Sequence, residues 1–260
     1  FKCFYKVYTF DLISELCNST YDDLVRNCKI IFVCIPTPMN KNGSCNLDLL
    51  TNVLSELNNQ TDAITVIKST IIPGTTKKFN EQFKNIKIVF NPEFLTERNA
   101  IEDFNNQKRI ILGGPRPLTT TLKQIYSKVF PNAYVIKTGS THAEMIKYFT
   151  NCFLANKVSF ANEMNELCGA LNVDYDKVVE YSILDSRLGN SHWSVPGPDG
   201  DFGFGGHCFP KDLAAIINIT EKLGTTNHVL KATFDTNNKV RKNKDWESMS
   251  VGFEMASRRP

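Results

Sequence analysis

No stretch of about eighteen uncharged apolar residues occurs anywhere in the chain, so no membrane-spanning helix is predicted. The opening residues, Phe1-Lys2-Cys3-Phe4-Tyr5-Lys6-Val7, have neither a long apolar run nor a small-residue cleavage site. They do not read as a signal peptide. They also have no starting methionine, and the sequence reads as one that begins partway through a domain. No basic run stands out and the formal net charge is only +3, which gives nucleic-acid binding no electrostatic support. The eight cysteines include no Cys-x-x-Cys pair, so neither a zinc site nor a dithiol redox motif is expected. Their scatter through apolar segments fits buried, reduced thiols and a cytoplasmic protein.

What is present is ordinary globular composition, 42% hydrophobic and 22% charged over 260 residues. That length suits one large domain or two modest ones. Residues 29–35 form a continuous apolar run closed by Pro36-Thr37-Pro38, the pattern of a buried parallel strand. Residues 63–68, 86–90, 109–112 and 134–136 read as further strands, with helical spacing over 47–57 and 118–129. Alternation of strand and helix predicts an α/β fold with a parallel sheet, whose ligands sit beyond the carboxyl ends of the strands.

Residues 141–171 hold no Gly or Pro before Gly169 and predict one helix of about 29 residues, roughly 43 Å long. Thr141 and Glu144 have capping-box spacing at its start. Such a helix is expected to link the sheet to an all-helical domain and to form a homodimer interface. The predicted boundaries are 1–139 for a Rossmann-like domain, 140–235 for the helical domain and 236–260 for a tail. A Gly/Pro-rich loop over 185–206 ends at Cys208, and a helix is predicted to resume at Asp212.

Four groups of residues point to chemistry. Cys208 lies where a glycine loop meets a helix, with Pro210 in the first turn and Lys211 three residues on. A helix N-terminus and a nearby ammonium both favour thiolate, although a buried cysteine after a turn reads the same way. Lys147 and Asn151 are four residues apart, hence on one helix face. Together they suit an oxyanion, or else a solvated face. Glu93 and Glu97 follow a strand end and suit acid–base work, or else are surface charges. Thr70, after another strand, suits a water or a ligand hydroxyl. Asp11 follows Val7-Tyr8-Thr9-Phe10 as an acidic residue would at the ribose end of a strand in a dinucleotide fold. A glycine-rich turn normally precedes such a residue by about twenty positions, and no glycine occurs among the ten residues before Asp11.

Taken together, these segments resemble the UDP-glucose/GDP-mannose dehydrogenase family. The resemblance rests on Ile35-Pro36-Thr37-Pro38 with Gly43 and Asp48, Lys68-Ser69-Thr70 with Pro73-Gly74-Thr75, and Asn91-Pro92-Glu93-Phe94-Leu95-Thr96-Glu97. It continues through Ala143-Glu144-Met145-Ile146-Lys147-Tyr148 with Asn151, and ends on Phe204-Gly205-Gly206-His207-Cys208-Phe209-Pro210-Lys211-Asp212. It implies two NAD-dependent oxidations at C6 of a nucleotide sugar, UDP-glucose before GDP-mannose or UDP-N-acetylmannosamine. By resemblance, Cys208 is the nucleophile, Lys147 and Asn151 stabilise oxyanions, Asp212 with Thr70 positions water, and Glu97 assists hydrolysis. The resemblance further assigns Glu93, Phe94, Leu95, Arg187, Phe204 and Gly205 to the substrate, and Asp11, Pro36, Thr37, Thr70, Glu97 and Lys211 to NAD. The competing reading is a dimerising remnant without NAD, motivated by the missing glycine turn.

Overall fold

A computed structural model describes residues 1–247. The chain divides into two compact units, Phe1–Thr37 with Leu47–Lys147, and Pro38–Asn46 with the chain from Tyr148 onward.

The first unit has the expected α/β class. In chain order it runs α1 (Tyr21–Asn27), β1 (Ile30–Val33), α2 (Asp48–Gln60), β2 (Ile64–Ile67), α3 (Thr75–Gln82), β3 (Lys87–Phe90), α4 (Ala100–Asn105), β4 (Arg109–Gly113), α5 (Arg116–Val129) and β5 (Tyr134–Thr138). The strands form one sheet in the order β1-β2-β3-β4-β5. Alternate side chains leave it on opposite faces. Ile31, Val33, Ile67, Ile88, Phe90 and Ile111 pack with Leu50, Leu54 and Leu57 of α2 and with Phe79 of α3. Val66, Val89, Ile110 and Leu112 pack with Leu122 and Tyr126 of α5. A sheet buried on both faces needs apolar residues at nearly every position, which is why its strands read as continuous runs.

The sheet is not wholly parallel. β1, β2 and β3 are parallel, and so are β4 and β5, but β3 meets β4 antiparallel with Phe90 opposite Gly113. Strand direction leaves no mark on a fully buried apolar run, so the sequence pattern was blind to this reversal. Residues 7–10 are not a strand either. Thr9 and Asn18 hold each other instead, with Thr9 N donating to Asn18 Oδ1 at 2.7 Å and Asn18 N to Thr9 Oγ1 at 3.0 Å.

The second unit is helical. It continues α6 (Ser140–Ala170), within which the boundary between the units falls, and adds α7 (Tyr175–Ser182), α8 (Phe209–Leu223) and α9 (His228–Val240). Among the described residues it has no strand, only an isolated bridge between Met39 and Cys45. Asp174 caps α7, accepting from the amides of Asp176 and Lys177. α8 begins at Phe209 rather than Asp212, because Pro210 suits the first turn and needs no amide partner there. The polar stretch from residue 236 is no loose tail over its described part. α9 runs to Val240, and Asn237, Arg241 and Trp246 are buried. The rest of the expected tail, 248–260, lies outside the described residues.

Glu144 does not close a capping box on its own helix. Fully buried, its carboxylate accepts from the amides of Gly74 (2.6 Å) and Thr76 (2.8 Å) and from Thr76 Oγ1 (2.6 Å). It thus caps the start of α3, where unpaired amides and the helix dipole both favour a negative charge.

Candidate active site

In the first unit the sequence-selected residues gather where β1, β2 and β3 end. The segments after β1 and β2 are tied together. Thr37 Oγ1 donates to the Thr70 carbonyl (2.7 Å), while Ser69 Oγ donates to the Ile35 carbonyl (2.5 Å) and accepts from its amide (3.1 Å). Pro36 is exposed and Thr70 half-buried. Asn91, beyond β3, accepts on Oδ1 from Lys68 Nζ (3.2 Å) and Tyr126 Oη (2.5 Å), and donates to the Ile111 carbonyl (2.8 Å). Burial holds the Lys68 ammonium below its usual range, against the opposing pull of Glu93.

Lys147 is only 4% exposed, so the solvated-face alternative does not apply to it. Its ammonium donates to the Glu93 carbonyl at 2.7 Å and lies 5.5 Å from the Phe94 ring centre. Arg109 also stands 4.3 Å from that ring. Each cation is drawn to the ring's π quadrupole, which helps hold Phe94. Glu93 is exposed and Leu95 half-buried. Glu97 opens a short 3-10 turn, Glu97–Asn99, and its side chain lies outside the described residues. Asp11, exposed in the segment before α1, accepts from Ile13 N at 2.9 Å.

In the second unit Asn151, one turn along α6 from Lys147, is likewise buried. Its Nδ2 donates to Asp212 Oδ2 at 2.6 Å, while Lys211 Nζ donates to Asp212 Oδ1 at 2.6 Å. Asp212 is 1% exposed, so an amide and an ammonium share one dry carboxylate. Burial pushes Lys211 down, but Asp212, through its charge and its hydrogen bond, leads the opposing effects and the ammonium is held above its usual range. Buried Cys152, beside Asn151, is an inert contrast: burial and then Asp212 push its thiol up to about 12.

Cys208 is the N-cap residue of α8 and is exposed. The loop before it is held by side chains. Gly203 N donates to Asn162 Oδ1 (3.1 Å), Phe204 N to Asn237 Oδ1 (2.7 Å), and Gly206 N to both oxygens of Asp245 (3.0 and 3.1 Å). Gly203 has φ +68, and a Cβ there would collide with Asn237 Oδ1, so glycine is required twice over. Phe204 is buried edge-on to Phe209. Arg187 is exposed and paired with Asp185 two residues away. Sequence reasoning missed Asn162, Asn237 and Asp245, which no local motif marks.

Residues 11–130 match the UDP-glucose/GDP-mannose dehydrogenase family, NAD binding domain, and residues 141–239 match the central domain of the same family. The chain belongs to that family. A UDP-glucose 6-dehydrogenase of Bacillus subtilis, TuaD, is 34% identical over 226 residues, 84% of this chain and 48% of that protein. AglM of Haloferax volcanii, also named UDP-glucose 6-dehydrogenase, is 34% identical over 242 residues, 85% of this chain and 54% of that protein. The solved UDP-glucose dehydrogenase of Pyrobaculum islandicum superposes with a TM-score of 0.77 at 32% identity, covering 85% of this chain and 52% of that one. The chain thus spans about half the length of the relatives it matches.

The family implies NAD. The strand ends fit part of it, since Thr37 and Thr70 bring polar groups to the carboxyl ends of parallel strands, where such a cofactor lies. The pyrophosphate half calls for a glycine-rich turn, and the first glycine of this sequence is Gly43.

Proposed function

We propose that this chain carries the catalytic residues of an NAD-dependent nucleotide-sugar 6-dehydrogenase that converts UDP-glucose to UDP-glucuronate. The observation that carries the reading is Cys208, exposed at the start of α8, whose first turn also carries Lys211 and Asp212 of the buried Lys211–Asp212–Asn151 chain. Thr37 and Thr70 would border NAD, which would supply the hydride acceptor for each oxidation at C6. Cys208 adds as thiolate to the aldehyde carbon and, after the second hydride leaves, holds the acid as a thioester. Lys147 and Asn151 donate to the carbonyl oxygen as negative charge develops on it. Asp212 and Thr70 orient water, and Glu97 takes its proton as the thioester is cleaved. Glu93, Phe94, Leu95, Phe204, Gly205 and Arg187 hold the sugar nucleotide, and Pro36 and Lys211 border the cofactor.

The homodimer forms through α6. Phe149, Phe153, Phe160 and Leu167 are exposed at helical spacing along it, 72%, 57%, 51% and 48% respectively, and Leu171, 64% exposed, follows just past its end. An apolar row of that kind fits a second copy of itself. Light scattering should give twice the chain mass, and Phe153→Asp should give the monomer.

The activity test is NADH formation with UDP-glucose. The expected result is two NADH per uronate and loss of turnover by about 10³-fold or more in Cys208→Ala. Turnover confined to GDP-mannose or UDP-N-acetylmannosamine would change the substrate. Undiminished turnover in Cys208→Ala would end the reading.

A further inference from the structure

Arg241, at the C-terminal end of α9, is buried with 2% of its side chain exposed, yet no step proposed above uses it. Three carboxylates surround it. Asp199 Oδ2 lies 2.7 Å from Nη2, Asp201 Oδ2 3.6 Å from Nε, and Asp245 Oδ2 4.0 Å from Nη2. Nε also donates to the Asn243 carbonyl at 2.9 Å. One guanidinium among three carboxylates leaves that group negative, and without the guanidinium the carboxylates would repel one another in a partly dry setting.

Two of these carboxylates hold the chain leading to Cys208. Asp245 accepts from Gly206 N, two residues before the thiol. Asp201 accepts from Phe202 N (2.8 Å) within the loop and from Lys242 N (3.3 Å) and Asn243 N (2.9 Å) beyond α9. Gly205 lies directly on the guanidinium, where a Cβ would strike Nη2 and Cζ. The loop bearing the thiol is therefore fastened from 199 to 206 around one cation. We propose that Arg241 is the positioning residue of Cys208: it gathers Asp199, Asp201 and Asp245 so that Asp245 holds the Gly206 amide and sets the thiol at the start of α8.

The inference rests on the reading of Cys208 as nucleophile, and its test separates the two. Iodoacetamide labelling at neutral pH, resolved by peptide mass, follows Cys208, exposed Cys3, and buried Cys152 and Cys168 in one experiment. In the unaltered protein Cys208 should label faster than Cys3, and equal rates would count against the nucleophile reading. In Arg241→Gln the Cys208 rate should fall about fivefold or more, since small misplacements of reacting groups are costly. kcat should fall with it while KM for UDP-glucose moves less than about twofold, and Arg241→Lys should recover part of both. A Cys208 rate unchanged in Arg241→Gln, with Cys152 and Cys168 still protected, would overturn the proposal. Should Arg241→Gln expose those two cysteines, Asp245→Asn takes its place with the same expected fall. An unchanged rate there, or exposure of Cys152 and Cys168 in both variants, would also overturn it, because the cluster would then serve the unit's fold and not the thiol.

Discussion

The two units hold their functional side chains in different ways. In the first, charged and polar groups lean on the backbone: Lys147 on the Glu93 carbonyl, Thr37 on the Thr70 carbonyl, Glu144 on the amides of Gly74 and Thr76. In the second, charges lean on charges: Lys211 on Asp212, and Arg241 on Asp199 and Asp201. Strand ends explain the first arrangement, since a sheet delivers carbonyls and amides to fixed places. A long loop offers no such frame, and side chains supply it: the amides of Asn162 and Asn237 and the carboxylates gathered at Arg241. Glu144 apart, the first unit's contacts named here involve no carboxylate, whereas those of the second unit do, so sensitivity to acid and to charge removal should concentrate in the second unit.

The largest effect expected is at Asp212. Asp212→Asn keeps the shape but leaves the mostly buried Lys211 ammonium without a counter-charge, and should cost about 3–5 kcal/mol in urea unfolding. Glu144→Gln should cost less, about 1–3 kcal/mol, because its partners are neutral amides and a hydroxyl and the side-chain oxygen remains. A reversed order would break the comparison.

Acid gives the next test. Burial and then Lys157 hold His192 below the usual imidazole range, so its neutral form is favoured in the folded state. Its contribution is complete above about pH 6.5 and is lost as pH falls through the lower folded value. Burial raises Asp199, but Arg241 outweighs it and leaves the carboxyl below the usual range. Asp201 is lowered first by the Asn243 amide. Both contribute stability above about pH 4 that is lost as pH falls through their lower folded values. Hydrogen exchange should therefore show residues 197–206 loosening on acidification before the sheet core. Loss of both together would contradict the contrast. The smallest effect belongs to the exposed pair Arg26–Asp22 on α1, where Arg26→Ala should change stability by less than about 0.5 kcal/mol.

Much of this was legible in the sequence, for reasons that also mark the limits. Strands buried on both faces announce themselves by unbroken apolar runs, and Pro36, Ser69 and Asn91 mark where they stop. The place of Cys208 followed from glycines before it and Pro210 after it. The reversal at β4 was invisible because apolar runs carry no direction. Glu144 misled because its spacing from Thr141 satisfied a local rule while its partners lie about seventy residues away. The Arg241 cluster was missed for the same reason. Asp199, Asp201 and Asp245 are unremarkable loop acids until folding places a buried guanidinium among them.

The central claim is that Cys208 holds the substrate covalently between the two oxidations. Glu97→Gln, which should slow release of the acyl group, can be mixed with UDP-glucose and NAD, quenched in acid, and its peptides weighed. The account predicts the mass of a UDP-glucuronyl group on the peptide containing Cys208 and on no other cysteine. Continued NADH formation with that peptide unmodified throughout, or the adduct on another residue, would contradict it.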